Sequence, residues 1–326
     1  MLRLAHRILS QRGRALPDDF YRAETFQEVA TLHKYVCTQL ARGVPSIIAD
    51  NVAEYVNESL KYARSSIIDI RTYPPCPPAF DWCFIEWNEP PIGYPGGFTI
   101  EDRGCKQTGC FLFATENRTE IEDSLGRSFD DCDDLLKSTR WVLFGLLYAC
   151  SLFGDAWPLA MISICLDPDG NFISGSSRTK VYLDDRQLRG HGYNLGSRWA
   201  EIMTTLGFLH CKNVQRIDVT KEEGPSPKWC RRQGVPELRY HVLQIDPNLG
   251  TKPRAGERKT EGDRSGKALH ICRGHFAHFR DDGLSQGLFG RRQFGTFWIP
   301  AHTRGSLEHG KIVSTYKVGT PGDIQL

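Results

Sequence analysis

The chain has 326 residues, 40% of them hydrophobic and 25% charged, which is ordinary for a globular protein and excludes a chain with nothing to bury. Net charge is only +2, yet Lys228 to Leu326 holds 17 Lys/Arg against 9 Asp/Glu, while the residues before them hold 24 against 30. A basic last third behind an acidic remainder is expected where one region meets a polyanion, although solvated basic loops would look the same.

Eleven cysteines are an odd number, and no secretory leader is expected. Cys83, Cys150 and Cys165 sit inside apolar runs, where free thiols behave as small hydrophobes, and the set predicts a reducing, cytoplasmic setting. Cys105-x4-Cys110 has the look of half a metal site, but no second pair follows. The most apolar run, Trp141 to Phe153, is too short for a bilayer core of roughly 30 Å, so no membrane segment is expected.

Met1 to Arg14, with His6 and four arginines, reads as a flexible arm or a first helical turn. After Asp18-Asp19, the spacing of Phe20, Phe26, Val29, Leu32, Val36 and Leu40 predicts a helix closed by Gly43. A second helix is expected from about Ser46, carrying Ile47, Ile48, Val52, Val56, Leu60 and Ala63, so that residues 1–71 form a helical hairpin. The run Tyr73-Pro-Pro-Cys-Pro-Pro forbids helix and marks a boundary. Beyond it Asp81 to Trp87 and Gly109 to Thr115 read as strands, with a Gly/Pro turn cluster between them. Glu116 to Asp134 is acidic and reads as a solvated face. Leu135 to Phe153, long and uniformly apolar, is expected as a buried helix, and Leu159 to Leu166 as a buried strand ended by the turn Asp167-Pro-Asp-Gly170.

A helix over Leu195 to Leu206 and a strand over Val214 to Val219 follow. Lys221 to Gly234 is Pro/Gly-rich and basic, Glu237 to Ile245 alternates as a strand, and 247–267 has almost nothing to bury and reads as a mobile loop. A last strand is expected over Ile312 to Val318, and no repeats are present. The fold class is α+β: an N-terminal helical hairpin (1–71), a central mixed-sheet region (72–220) and a basic, β-rich C-terminal region (221–326).

The residues that carry chemistry concentrate in Leu269 to Gly305. Five of the ten histidines lie between His270 and His309, beside Arg273-Gly274-His275, the turn Gly290-Arg291-Arg292 and His302-Thr303-Arg304-Gly305. Arginine offers a planar fork for phosphate, histidine moves protons near neutral pH, and glycine lets a backbone approach. Three readings stand open. Metal-free phosphodiester cleavage would use His275, His278 or His302 as base and acid, with Arg273 or Arg304 on the phosphate. A metal site would use His270, Cys272, His275 and His278. A noncatalytic surface would grip RNA or a protein tail through Arg273, Arg291, Arg292, Trp298 and Arg304. The order of parts predicts two strands around the Gly-Arg-Arg turn, bringing His275 and Arg304 to opposite ends of neighbouring strands near one edge. No metal and no cofactor is expected.

The same stretch, Leu269-His270-Ile271-Cys272-Arg273-Gly274-His275-Phe276, a glycine-rich gap, Phe297-Trp298-Ile299-Pro300 and His302-Thr303-Arg304-Gly305, resembles a type V-A anti-CRISPR family of phage and mobile-element proteins. Weaker echoes are Asp81-Trp82-Cys83 and the helix-like Leu143 to Leu152. The chain departs from the family where a Trp commonly follows the His and Phe276 stands instead. The resemblance implies a protein that suppresses production of a host CRISPR nuclease. It would recognise the nuclease's nascent N-terminal peptide and promote loss of its mRNA in the cytoplasm of a bacterial host. The implied partners are a nascent host protein with its mRNA or ribosome, and RNA, with no membrane; whether RNA cleavage is intrinsic or recruited stays open.

Overall fold

The computed structural model describes residues 2–17, 20–62, 73–78, 82–89, 105–116, 137–151, 155–183, 195–245, 268–272, 275–279, 294–299, 302–304 and 306–311, with backbone alone at 57–62, 105–106, 151, 195–197, 268–272, 302–304 and 306–311. The acidic face at 117–134, the loop at 247–267 and the strand at 312–318 lie outside these residues. The chain divides into two compact units, Met1–Leu209 with Gln215–Gln244, and His210–Val214 with Ile245–Leu326. The divisions expected after 71 and 220 fall inside the first.

The α+β class holds, with six helices among the described residues. They are α1 (Leu4–Ser10), α2 (Phe26–Ala41), α3 (Asp50–Tyr62), α4 (Leu195–Leu209), α5 (Thr220–Glu223) and α6 (Pro227–Gln233). The first unit is built on one sheet of β1 (Ser46–Ile48), β2 (Trp82–Asn88), β3 (Cys105–Thr115), β4 (Trp141–Ser151), β5 (Ala156–Leu166), β6 (Arg178–Val181), β7 (Val214–Asp218) and β8 (Tyr240–Ile245). Its order is β6-β5-β4-β3-β2-β1-β8-β7. β1 runs parallel to both β2 and β8, whereas β2 to β6 form an antiparallel meander. Along β2 the alternate residues Cys83, Ile85 and Trp87 are as buried as Phe84 between them. The sheet is therefore covered on both faces, which is why its strands read as unbroken apolar runs.

That double covering overturns two expectations. Trp141 to Ser151 is a strand, not a buried helix; it pairs with β3 on one side and β5 on the other. A short apolar run has no periodicity to separate helix from buried strand, and two flanking partners decide it. Gly145 supports the outcome, since a Cβ there would fall 2.6 Å from Cys110 Sγ and 2.9 Å from Ile162 Cγ1. Ser46–Ile48 is likewise a strand, wholly buried between β2 and β8. α3 starts only at Asp50, so α2 and α3 are separated by a strand and do not make a plain helical hairpin.

The N-terminal arm is also revised. Leu4, Ala5, His6, Ile8 and Leu9 are fully buried, so α1 is a core helix packed on β2, β3 and β5. α2 begins at Phe26, later than the pattern suggested, and its buried Val29, Val36 and Leu40 face the core. β2, β3, β5, α4 and β7 fall where the patterns put them. The turn after β5 is closed by Asp167, whose Oδ1 accepts from the backbone N–H groups of Asp169 and Asn171, with Gly170 at φ +85°. The basic stretch 221–234 instead holds α5 and α6; Ser226 caps α6 and Gly234 ends it in the left-handed region, a start and stop that local chemistry favours.

Eight cysteines among the described residues, including Cys83, Cys150 and Cys165, are buried free thiols, as the apolar runs around them predict. No helix among the described residues is long and apolar enough to cross a membrane.

Candidate functional site

The second unit holds the Arg-Gly-His stretch. β10 (His275–Phe279) pairs antiparallel with β11 (Gly295–Ile299), His275 opposite Ile299. β12 (His302–Arg304) pairs antiparallel with β9 (Ala268–Cys272), His302 opposite Cys272 and Arg304 opposite His270. β13 (Ser306–Lys311) runs parallel to β9 on its other side. From the first ladder to the second, one chain steps back three residues and the other forward three, so both keep one register. Strands thus flank the Gly-Arg-Arg turn, and His275 and Arg304 belong to different strand pairs. Arg304 meets His270, five positions along the ladder from the partner of His275. Arg273, Arg291 and Arg292 lie outside the described residues, and His302 and Arg304 are placed by their backbone.

Alternation along β10 sends His275 and His278 to opposite faces of the ribbon. Both are exposed, and His278 Nδ1 lies 2.9 Å from Thr296 Oγ1. The two imidazoles therefore do not close on one phosphodiester or on one metal ion. Among the described residues no group of three His, Cys, Asp or Glu is arranged to hold a metal. Trp298, expected as a contact residue, is 4% exposed. Its ring lies edge-on to Phe276 at 4.8 Å, and its backbone is held at both ends by Asn213, which accepts from Trp298 N at 2.9 Å and donates to Trp298 O at 2.7 Å. Trp298 is a packing residue of the ribbon.

The exposed aromatic is Phe294, at 53%. Lys212 Nζ stands 4.1 Å from its ring centroid, and the Lys212 backbone N–H donates to Thr296 O at 2.9 Å. Gly295 between them has φ +111°, and a Cβ there would fall 2.7 Å from Lys212 Cε. The glycine is needed both for its left-handed backbone and to let the lysine stem cross. A ring with an ammonium beside it, open to solvent, offers a stacking face and a phosphate contact together. Sequence reasoning passed over this pair, because the segment around Lys212 meets β11 across some 85 positions, as Asn213 and Trp298 do.

A second polar cluster, also unforeseen, lies in the first unit at the carboxyl ends of the parallel strands β1 and β2. Arg3, 6% exposed in its side chain, bridges Asp50 Oδ2 at 3.1 Å and Glu223 Oε2 at 2.7 Å. Asp50 Oδ1 also accepts from Asn88 N at 2.7 Å. Beside them Glu86, 1% exposed, accepts from Leu4 N through Oε2, while Oε1 has no hydrogen-bond partner. Burial pushes its carboxyl up to about 7 against the pull of Arg3. Open α/β sheets place ligands at such strand ends, but here the Arg3 guanidinium occupies the carboxylates. The cluster latches the start of α1 to the sheet. Its one sequence signal was Glu86 inside an apolar strand.

A scan against protein-family models and searches of curated proteins and solved structures return no match.

Proposed function

We propose that the basic C-terminal unit grips RNA and that the chain acts as an anti-CRISPR-like mobile-element protein in the cytoplasm of a bacterial host. It suppresses production of a host CRISPR nuclease by recognising the nascent N-terminal peptide and promoting loss of the mRNA. The observation that carries the RNA contact is the solvent-open Lys212–Phe294 pair, whose Phe294 belongs to the stretch Lys228 to Leu326 with its eight excess positive charges. The messenger-level role is supported by the Arg-Gly-His, Phe-Trp-Ile-Pro and His-Thr-Arg-Gly order. A metal-independent ribonuclease at His275, His278 and His302 is the weaker reading, because the first two side chains leave opposite faces of the ribbon. A phage RNA- or DNA-binding accessory protein shares the Lys212–Phe294 support.

Co-expression with a type V-A system, reading effector protein and transcript, tests the role directly. Both should fall, and unchanged levels of both would refute it. RNA binding tests the contact itself. Phe294→Ala should weaken it about five- to tenfold, as loss of one stacked base does, and Lys212→Ala should lower the salt slope by about one. If RNA binding survives in both variants while the unaltered chain silences, the surface lies elsewhere.

A further inference from the structure

In the first unit, α6 presents a charged outer face that the readings above do not use. Lys228, Arg231 and Arg232 stand at i, i+3 and i+4 along it and so share one side of the helix; all three are exposed. The other side is anchored. Cys230 is 2% exposed, with its Sγ 3.8 Å from His6 Nε2, and Trp229 sets its ring edge-on to His6 at 6.0 Å. Ser226 fixes the start of α6 and Gly234 its end, while the Val235 N–H donates back to Cys230 O at 3.1 Å. Arg12, just past α1 and also exposed, donates from Nη2 to Gly234 O at 2.9 Å. A residue more than 200 positions away thus brings a fourth cation to the end of the same helix.

Arg3, Arg14, Lys180 and Arg198 of this unit each find a carboxylate. Arg12, Lys228, Arg231 and Arg232 take part in no ion pair among the described residues. Of the carboxylates flanking α6 in sequence, Glu223 is taken by Arg3 and Glu237 pairs with none of the four. Like charges at i+3 and i+4 destabilise a helix. The carbonyl end of α6 favours a cation, but it does not neutralise four. Negative charge from outside the chain would. Guanidinium forks match phosphate oxygens two at a time. An interfacial helix also needs an apolar side to sink into a bilayer, and the exposed large hydrophobics among the described residues, Tyr35 and Phe294, do not lie on α6. A chain of phosphates fits this face better than a membrane does.

We propose that Arg12, Lys228, Arg231 and Arg232 bind the sugar–phosphate backbone of RNA, by charge and without reading base identity. The patch stands on its own geometry in the first unit; it shares only its ligand with the contact proposed at Lys212–Phe294. The test is fluorescence anisotropy of the full chain with labelled single-stranded RNAs of unrelated sequence, over about 50 to 200 mM salt. Each phosphate contact on a single strand contributes about 0.7 to the slope of log affinity against log salt. Lys228→Ala/Arg231→Ala/Arg232→Ala therefore lowers the slope by about two, about a hundredfold in affinity near 0.1 M salt, and equally on every sequence. Adding Arg12→Ala lowers it by about 0.7 more. The thermal midpoint stays near that of the unaltered chain, because the substituted side chains are exposed. An unchanged slope in the triple variant, beside a fall for Lys212→Ala, overturns the patch and leaves the Lys212–Phe294 contact; a fall in the triple variant with none for Lys212→Ala does the reverse. A comparable fall for Lys34→Ala/Arg42→Ala, two exposed cations on and just after α2, would trace the effect to overall charge. A loss confined to one sequence would make the patch a reader of bases, and an unaltered chain that binds no RNA would leave neither contact; each of these three results overturns the proposal.

Discussion

Replacing Glu86 by glutamine should make the protein more stable, and increasingly so as the pH rises. The wild-type carboxyl is 1% exposed, and burial lifts it from its ordinary 4.5 to about 7. A group raised on folding contributes its stability below the unfolded value and loses it as pH rises through the folded one. Below pH 4.5 both states hold the proton, and between 4.5 and 7 only the native state does. Above 7 the native state carries a buried carboxylate whose full cost is present. The gap of some 2.5 units, at about 1.4 kcal/mol each, is about 3 kcal/mol. Glutamine cannot ionise and keeps an oxygen for the Leu4 N–H that Glu86 Oε2 now accepts. Urea unfolding followed by tryptophan fluorescence at pH 4.5, 6 and 8 should show the Glu86→Gln advantage growing by about that amount. A difference that stays flat across pH would refute the argument, because the neutral form would then not be what burial selects.

Two buried histidines work in the opposite sense. Burial lowers His6 and His33 to about 4, so each stabilises above pH 6.5 and loses that contribution as pH falls towards 4; His33→Gln, keeping a polar partner for Tyr148, should make the acid limb of a stability–pH curve shallower. Trp298→Ala should cost about 3–5 kcal/mol by chemical denaturation, whereas Phe294→Ala should leave the midpoint nearly unchanged. Gly145→Ala should cost about 1–3 kcal/mol, since its methyl would meet Cys110 and Ile162 inside van der Waals range, and an unshifted thermal midpoint would contradict that packing.

Much of the fold was legible wherever a local rule applied. The strands at Trp82–Asn88 and Ala156–Leu166, the helix at Leu195–Leu209, the Asp167–Gly170 turn and the ribbon of His275–Phe279 with Gly295–Ile299 follow from periodicity, turn chemistry and glycine placement. Those signals span a few residues and need no partner. What the sequence by itself determined was the α+β class, the buried thiols and the stretch where arginine, histidine and aromatics gather. Tertiary structure alone decided that Trp141–Ser151 and Ser46–Ile48 are strands, because an apolar run takes its form from the neighbours that pair with it. It also decided that Trp298 is buried while Phe294 is displayed under Lys212, and that Arg3 joins Asp50 to Glu223. Each of these depends on side chains far apart in the chain meeting in one place, and no local pattern carries that information.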